Sequence, residues 1–448
     1  MRSIHIILWI FIASTMIVLA VQAHNKVAHE MTRQAHIDAF DSYMQILPGF
    51  LHQHKPYTND DFPLPPFAML FIAPFTFLSR PDAQMAWVLI KPLFFIPIFY
   101  LCLSMVRRGG GAIGPVALGL IMIVWFFPVI GDIQEGQMNL LMLLPLTIAL
   151  WLAQDQTPRS DIGAGLMLAM AVCIKVTPLA FVAYFVFRRR WRLVVWTLAG
   201  GVLWLLVIPA VFFGWDQNVA WLGQWGNIMI VEYVLHGTVK FTNGESIPEL
   251  ITRLFSHQPA WQIITANGSK QNHYMNILNL SLGTVRLMGR LVLLAIAAIG
   301  IVWAGRRLSS QHCRRYVMEI ACVGLFMLWA SERTWVAHYV LLIFALMAAG
   351  MIASDELART SSRRLAWAAL IFAAILMPWT SNLDDVLGPQ GRDMVVSVDV
   401  VLWISFYLAL AIITAQFRDR AERATIPAPA PGWGLYRRYK TLNAASSL

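Results

Sequence analysis

Charge is scarce in this chain: Asp, Glu, Lys and Arg make up 13% of its 448 residues, against 58% hydrophobic ones. A water-soluble protein cannot cover that much apolar surface, so the composition excludes a soluble enzyme and calls for a bilayer as solvent. Cysteine is scarcer still, with four residues. Cys102, Cys173 and Cys322 lie in hydrophobic stretches and Cys313 in a basic loop, with no Cys-x-x-Cys or Cys/His spacing, so neither a disulfide framework nor a zinc site is expected. Glycine-rich phosphate loops, nucleophile elbows and dinucleotide fingerprints are also missing. No acidic cluster has metal-ligand spacing, and no metal or other cofactor is expected. The net charge of +10 comes from short Lys/Arg clusters between apolar segments, the signature of a multi-pass membrane protein rather than a nucleic-acid binder.

What is present is a succession of apolar segments, with Trp and Phe suited to interface belts. Ile4–Ala20 follows Arg2 and reads as a signal-anchor with a cytoplasmic N-terminus. Next comes an acidic, proline-rich insert, Ala23 to Pro66, which should emerge on the exterior face. Further apolar segments follow at Phe67–Leu78, Met85–Val106, Ile113–Val129, Met138–Ala153, Ile162–Phe187, Leu193–Phe213, Val285–Ala304, Tyr316–Ala330, Val336–Ala353, Leu365–Pro378 and Val400–Ala415. Basic clusters at Arg107-Arg108, Arg188-Arg189-Arg190, Arg306-Arg307, Arg314-Arg315 and Arg363-Arg364 should all be cytoplasmic. Only three segments separate Arg107 from Arg188, and an odd number of crossings cannot return the chain to one side. Breaking Ile162–Phe187 at Lys175-Val176-Thr177-Pro178 resolves this, because proline lacks a backbone donor and stops a helix. Lys175 would then sit at the apex of two half-helices, and Phe67–Leu78 would be re-entrant or interfacial. The alternative is one long helix through Pro178 and a single exception to the charge rule. The expected fold is all-α and polytopic, with about twelve crossings and both termini cytoplasmic. Residues 1–417 form the membrane domain and 418–448 a basic, Pro-rich tail that touches anionic headgroups.

Few residues are candidates for chemistry. Asp38 and Asp41 share a helix face, and a carboxylate at an exterior interface can act as general base on a hydroxyl; solvated loop acids or caps are the plainer role. Lys175, a cation in an apolar stretch beside a helix end, suits a phosphate or diphosphate, or else snorkels to the interface. Gln137 and Asn139 can cap a helix or bind sugar hydroxyls. Trp335 and His338 form either an interfacial anchor or part of a site, and Asn243 to Ser246 reads as a turn.

Together these motifs resemble glycosyltransferase family 87, membrane enzymes of the GT-C class. Gly136-Gln137-Met138-Asn139-Leu140-Leu141 resembles its G-Q-x-N-L-L signature. Ala164-Gly165-Leu166 through Lys175-Val176-Thr177-Pro178-Leu179, running into Arg188-Arg189-Arg190-Trp191-Arg192, is similar to its A-G-L…K-x-T-P-L…R-R-R-W-R block. Asn243, Ser246 and Arg253 resemble its N-x-S…R segment with one residue inserted. Trp335 and His338 resemble its W-x-x-H element. Lys55-Pro56-Tyr57 and Pro65-Pro66 resemble its P-Y…Y-P-P element, with Leu64 in place of the aromatic.

The resemblance implies an enzyme of the bacterial inner membrane that takes a sugar, typically mannose, from a polyprenyl-phosphate donor at the exterior face. It transfers that sugar with inversion to a hydroxyl of a lipid-linked or envelope glycan acceptor. Asp38 or Asp41 would be the base; the family's aspartate lies four residues before the tyrosine, while these lie five and two before Tyr43. Lys175 and His338 would bind the donor phosphate. Tyr43, Tyr57, Gln137, Asn139, Asn243, Ser246 and Trp335 would bind substrate, with membrane lipids around them. The competing readings are a lipid or sugar transporter, which would pair two broken helices in related repeats, and a glycan ligase using a lipid-diphosphate donor.

Overall fold

The computed structural model describes residues 16–25, 27–28, 38–53, 57, 63–235, 244–264, 270–304, 313–331, 334–356, 358–380 and 397–425. Nearly all of them are helical, and the chain is an all-α polytopic membrane protein. Among the described residues six helices are long and apolar enough to cross a bilayer, and four shorter apolar helices accompany them.

Proline punctuates the fold. The chain opens with α1 (Met16–Asn25) and α2 (Ala39–Gln53). Pro66 starts α3 (Pro66–Ile72), which tightens into a 3-10 turn at Ala73–Phe77, so the short apolar stretch after the insert is a bent element of twelve residues. Pro81 and Pro92 open α4 (Arg80–Ile90) and α5 (Pro92–Arg108), which together make one long apolar span joined at Lys91. Pro115 and Pro158 begin α6 (Pro115–Gln134) and α8 (Pro158–Ile174), on either side of α7 (Asn139–Ala153). At a helix start proline gives up a donor that has no partner there, and its fixed φ already suits the helix.

The stretch 162–187 is broken. Helix α8 stops at Ile174, Lys175 is extended, and α9 (Leu179–Phe187) begins after Pro178. Arg190, just past α9, pairs with Asp161 in the first turn of α8. The two helices therefore leave and return to the same end of the molecule, with Lys175 near the turn at the other end. This is the geometry that the charge-parity argument requires.

The chain continues through α10 (Trp191–Val202), a π-turn and α11 (Ile208–Phe213) into α12 (Trp215–Gly226). Helix α10 lies very close to α8: a Cβ on Gly165 would sit 2.6 Å from Trp196 Cβ, so the backbones approach as small residues in membrane helices allow. Then come α13 (Ile247–Phe255) and a small antiparallel hairpin, β1 (Trp261–Ile264) with β2 (Lys270–His273), pairing Trp261 with His273. Helices α14 (Leu282–Ala304), α15 (Arg314–Ala330), α16 (Leu342–Ala353), α17 (Thr360–Leu376) and α18 (Val400–Thr425) complete the chain. A 3-10 segment at Val336–Leu341 leads into α16. Helix α18 runs past residue 417, and 426–448 lie outside the described residues.

The two ends differ in chemistry. At one, arginines of the connecting turns find acids: Arg108 with Asp155, Arg314 with Asp355, and Arg188 and Arg315 with Glu319. The other end gathers the N-terminus of α2, the 135–139 turn, Lys175 and the start of Val336–Leu341.

Candidate active site

The 135–139 turn is the site's foundation. Gly136 has φ +61, and a Cβ there would lie 2.6 Å from Asp38 Oδ1 and 2.7 Å from the Phe40 nitrogen. Only glycine combines that dihedral with such close contact. The Ala39 N–H donates to the Glu135 carbonyl at 3.0 Å, fixing the first turn of α2 against this loop. Asp38 stands just before α2; its Oδ1 accepts the Asp41 N–H at 2.8 Å, as helix N-terminal residues do, and its Oδ2 accepts from the Gln84 amide. Asp38 remains half-buried.

Asp41 has a different setting. It is buried, and Arg80 grips it with two nitrogens, Nε to Oδ1 at 2.9 Å and Nη2 to Oδ2 at 2.7 Å, while Gln45 donates to Oδ2. A two-pronged guanidinium contact is the strong form of such pairing. Tyr43 is buried on the same helix, and burial together with the charge of Asp38 holds its phenol well above the ordinary range, so it stays protonated.

On the far side of the turn Asn139 is fully buried and bridges three elements. Its backbone N–H donates to Asp132 Oδ1 at 3.1 Å, its side-chain amide donates to the Ala337 carbonyl at 3.1 Å, and its Oδ1 accepts from Lys175 Nζ at 2.6 Å. Lys175 Nζ also lies 2.7 Å from His338 Nε2. His338 Nδ1 accepts the Trp335 N–H at 3.1 Å, so in the neutral ring Nε2 carries the proton. At that distance two protonated nitrogens cannot satisfy each other, and an accepting atom placed between them could take a hydrogen bond from both the Lys175 ammonium and the His338 Nε2–H. The Trp335 ring lies edge-on to the imidazole with centroids 6.2 Å apart.

Five predicted residues therefore meet around one turn: Asp38, Asn139, Lys175, His338 and Trp335. Gln137 is buried within it and its carbonyl accepts from Lys91. Ser246 is buried one layer away and donates to Glu249 at 3.1 Å. Tyr57 stands apart: its N–H donates to Gln224, its hydroxyl donates to the Leu64 carbonyl, and its ring packs on Phe50. Asn243 lies outside the described residues.

Sequence reasoning missed Arg80, Gln84, Lys91, Glu249 and Asp399; it quoted Arg253 within the N-x-S…R segment and Glu245 within a turn, without the buried cluster that the four residues Glu245, Glu249, Arg253 and Asp399 form. Of Arg80, Gln84 and Lys91, only Lys91 carried a signal, being a cation inside an apolar stretch just as Lys175 is. The cluster backs the site directly: Arg253 pairs with Asp399 and donates to the Gly244 carbonyl, while the Tyr339 hydroxyl donates to the Glu245 carbonyl. Burial, reinforced by Asp399, pushes the Glu245 carboxyl up to about 8. Burial likewise raises Glu249 to about 8 against the opposing pull of Arg253.

A polar cluster at one end of a bundle of apolar helices, with a lysine at a broken helix and a carboxylate at a helix start, is the arrangement that a membrane-embedded enzyme site calls for. The profile of glycosyltransferase family 87 matches residues 62–331, and the chain belongs to that family; it is a membrane glycosyltransferase. It is 24% identical over 391 residues to the polyprenol-phosphate-mannose-dependent alpha-(1-2)-phosphatidylinositol mannoside mannosyltransferase of Mycobacterium tuberculosis, covering 82% of this chain and 79% of that protein. It is 26% identical over 361 residues to the protein of the same name from Mycolicibacterium smegmatis, covering 75% and 70%. No solved structure matches the chain significantly.

Proposed function

We propose that this glycosyltransferase moves a mannosyl residue from a polyprenyl-phosphate carrier to a hydroxyl of a lipid-linked or envelope glycan, at the outer face of the membrane and with inversion. The observation that carries the reading is the convergence of Lys175 Nζ and His338 Nε2–H. Two protonated nitrogens 2.7 Å apart cannot bond to each other, whereas an anionic oxygen accepts from both, and a donor phosphate supplies one. The relatives named above use such a donor.

In the reaction the acceptor oxygen bonds to the anomeric carbon as the bond from that carbon to the phosphate oxygen breaks. The electron pair departs with the phosphate, where Lys175 and His338 stabilise the growing charge. The acceptor's proton passes to a carboxylate. Asp38 is the better base, because Asp41 is buried and committed to Arg80 whereas Asp38 is half-buried and held by neutral donors. Asn139 holds Lys175 in place, and no nucleotide-binding fold is required because the lipid phosphate is already the leaving group.

The test uses membranes supplied with tritiated polyprenyl-phosphate mannose. Asp38→Asn should lower transfer of label to glycolipid by about 10²- to 10⁴-fold while the protein accumulates normally. Full activity in Asp38→Asn would refute the base assignment. Cysteines placed at 38 and 175 should both react with a membrane-impermeant reagent added from outside; reaction from opposite sides would end the mechanism.

A further inference from the structure

Lys91 and Asp132 form an ion pair in which both side chains are 0% exposed, at the α4–α5 junction and in the last turn of α6. Neither has a role in the chemistry above. A buried pair of this kind does not explain itself through stability, since well-packed apolar residues in its place are often neutral or stabilising.

The contacts explain it instead. Lys91 Nζ donates to Asp132 Oδ2 at 2.6 Å and to the Gln137 carbonyl, and it lies 4.7 Å from the centre of the Trp87 ring. All three ammonium hydrogens thus have an acceptor, the last being a π face. Asp132 receives the Asn139 N–H on its other oxygen, and its backbone carbonyl accepts the Gln137 N–H at 2.9 Å. The pair grips both ends of the segment Gln137 to Asn139. Trp87 in turn stacks on Phe40 at 4.8 Å with the rings within 7° of parallel, and Phe40 lies in the first turn of the helix that Asp38 precedes.

We propose that the Lys91–Asp132 pair is a positioning device for the transfer reaction, locking the 135–139 turn so that Asp38, on one side of it, and the Asn139–Lys175–His338 group, on the other, keep a fixed separation. Neither residue reaches substrate. The pair sets the geometry between the base that receives the acceptor's proton and the donors that receive the departing phosphate. This rests on the function proposed above.

The experiment compares Lys91→Met/Asp132→Leu, which replaces the pair by apolar residues, with Asp132→Asn, which keeps an acceptor for the Asn139 N–H. Initial rates against tritiated polyprenyl-phosphate mannose give kcat and KM in membranes, and the melting temperature is read in detergent. In the double variant kcat should fall about 10²-fold, the loss expected for a misplacement of about 1 Å, with donor KM within threefold of wild type and the melting temperature unchanged. Asp132→Asn should retain an intermediate kcat. An unchanged kcat in the double variant overturns the proposal. So does a kcat loss that follows a fall in melting temperature or in protein level in both variants, which would make the pair structural, and so does a rise in KM alone. Asp38→Asn measured alongside separates the two readings: if it is fully active, the assignment of the base has failed rather than the positioning role.

Discussion

Two helical spans with the same mean hydropathy have opposite fates. Val336–Ala353 is 89% buried inside the protein, while Leu282–Val302 is 11% buried and turns nearly all its side chains outward. Both are long enough to span; the exposed one carries Arg286 and Arg290 near its start, and the buried one carries no Asp, Glu, Lys or Arg. The buried span begins with the segment bearing His338 and touches the Glu245 cluster through Tyr339; the other packs on α13 and α15 and leaves most of its remaining side chains exposed. Lipid tails are as apolar as leucine, so transfer from water to membrane does not distinguish the two. The difference lies in packing, and the candidate site is built at the end of the buried helix.

The largest effect that tests this contrast is at His338. His338→Ala removes one of the two converging donors and should cut transfer about 10²- to 10³-fold with no change in melting temperature. Within the buried span Leu346→Ala opens a cavity and should cost about 2 kcal/mol or more in detergent unfolding, because the lost contacts are protein contacts. Gly350→Val should cost about 1–3 kcal/mol by overpacking, since a Cβ there would lie 2.6 Å from Ile121 Cδ1.

A pH series probes the cluster behind the same span. The Glu245 and Glu249 carboxyls lie near 8 in the fold against an ordinary 4.5, so the folded state favours the protonated forms. Their contribution to stability is complete below pH 4.5 and is lost as pH rises from there through 8. The melting temperature of wild type should fall across that window, and Glu245→Gln/Glu249→Gln should flatten the fall. Smallest of all, Leu294→Ala on the lipid-facing span should change stability by less than about 0.5 kcal/mol. A cost there matching that of Leu346→Ala would erase the contrast.

Much of the site was legible because its signals are local. A lysine in an apolar run, followed closely by proline, marks a broken helix wherever it occurs, and Asn139 and His338 sit at helix starts that their own sequences announce. Their partners were not legible. Arg80 lies 39 residues from Asp41, Lys91 lies 41 from Asp132, and Arg253 lies 146 from Asp399. No periodicity links such positions, and Asp38 and Asp41 look equivalent until Arg80 takes one of them. Tyr57, which its motif offered as a substrate contact, bonds to Gln224 and the Leu64 carbonyl and packs on Phe50, away from the 135–139 turn.

By itself the sequence determined that this chain lives in a bilayer and roughly where its apolar helices lie, and it offered a break at Lys175 as one of two readings. Those follow from transfer free energy and backbone chemistry, which each residue carries with it. Tertiary structure alone decided how tightly each apolar span is packed, which aspartate pairs with an arginine, and that a hidden lysine and aspartate meet at the 135–139 turn. Those depend on which distant side chains meet, and a contact is a property of two positions that neither one encodes alone.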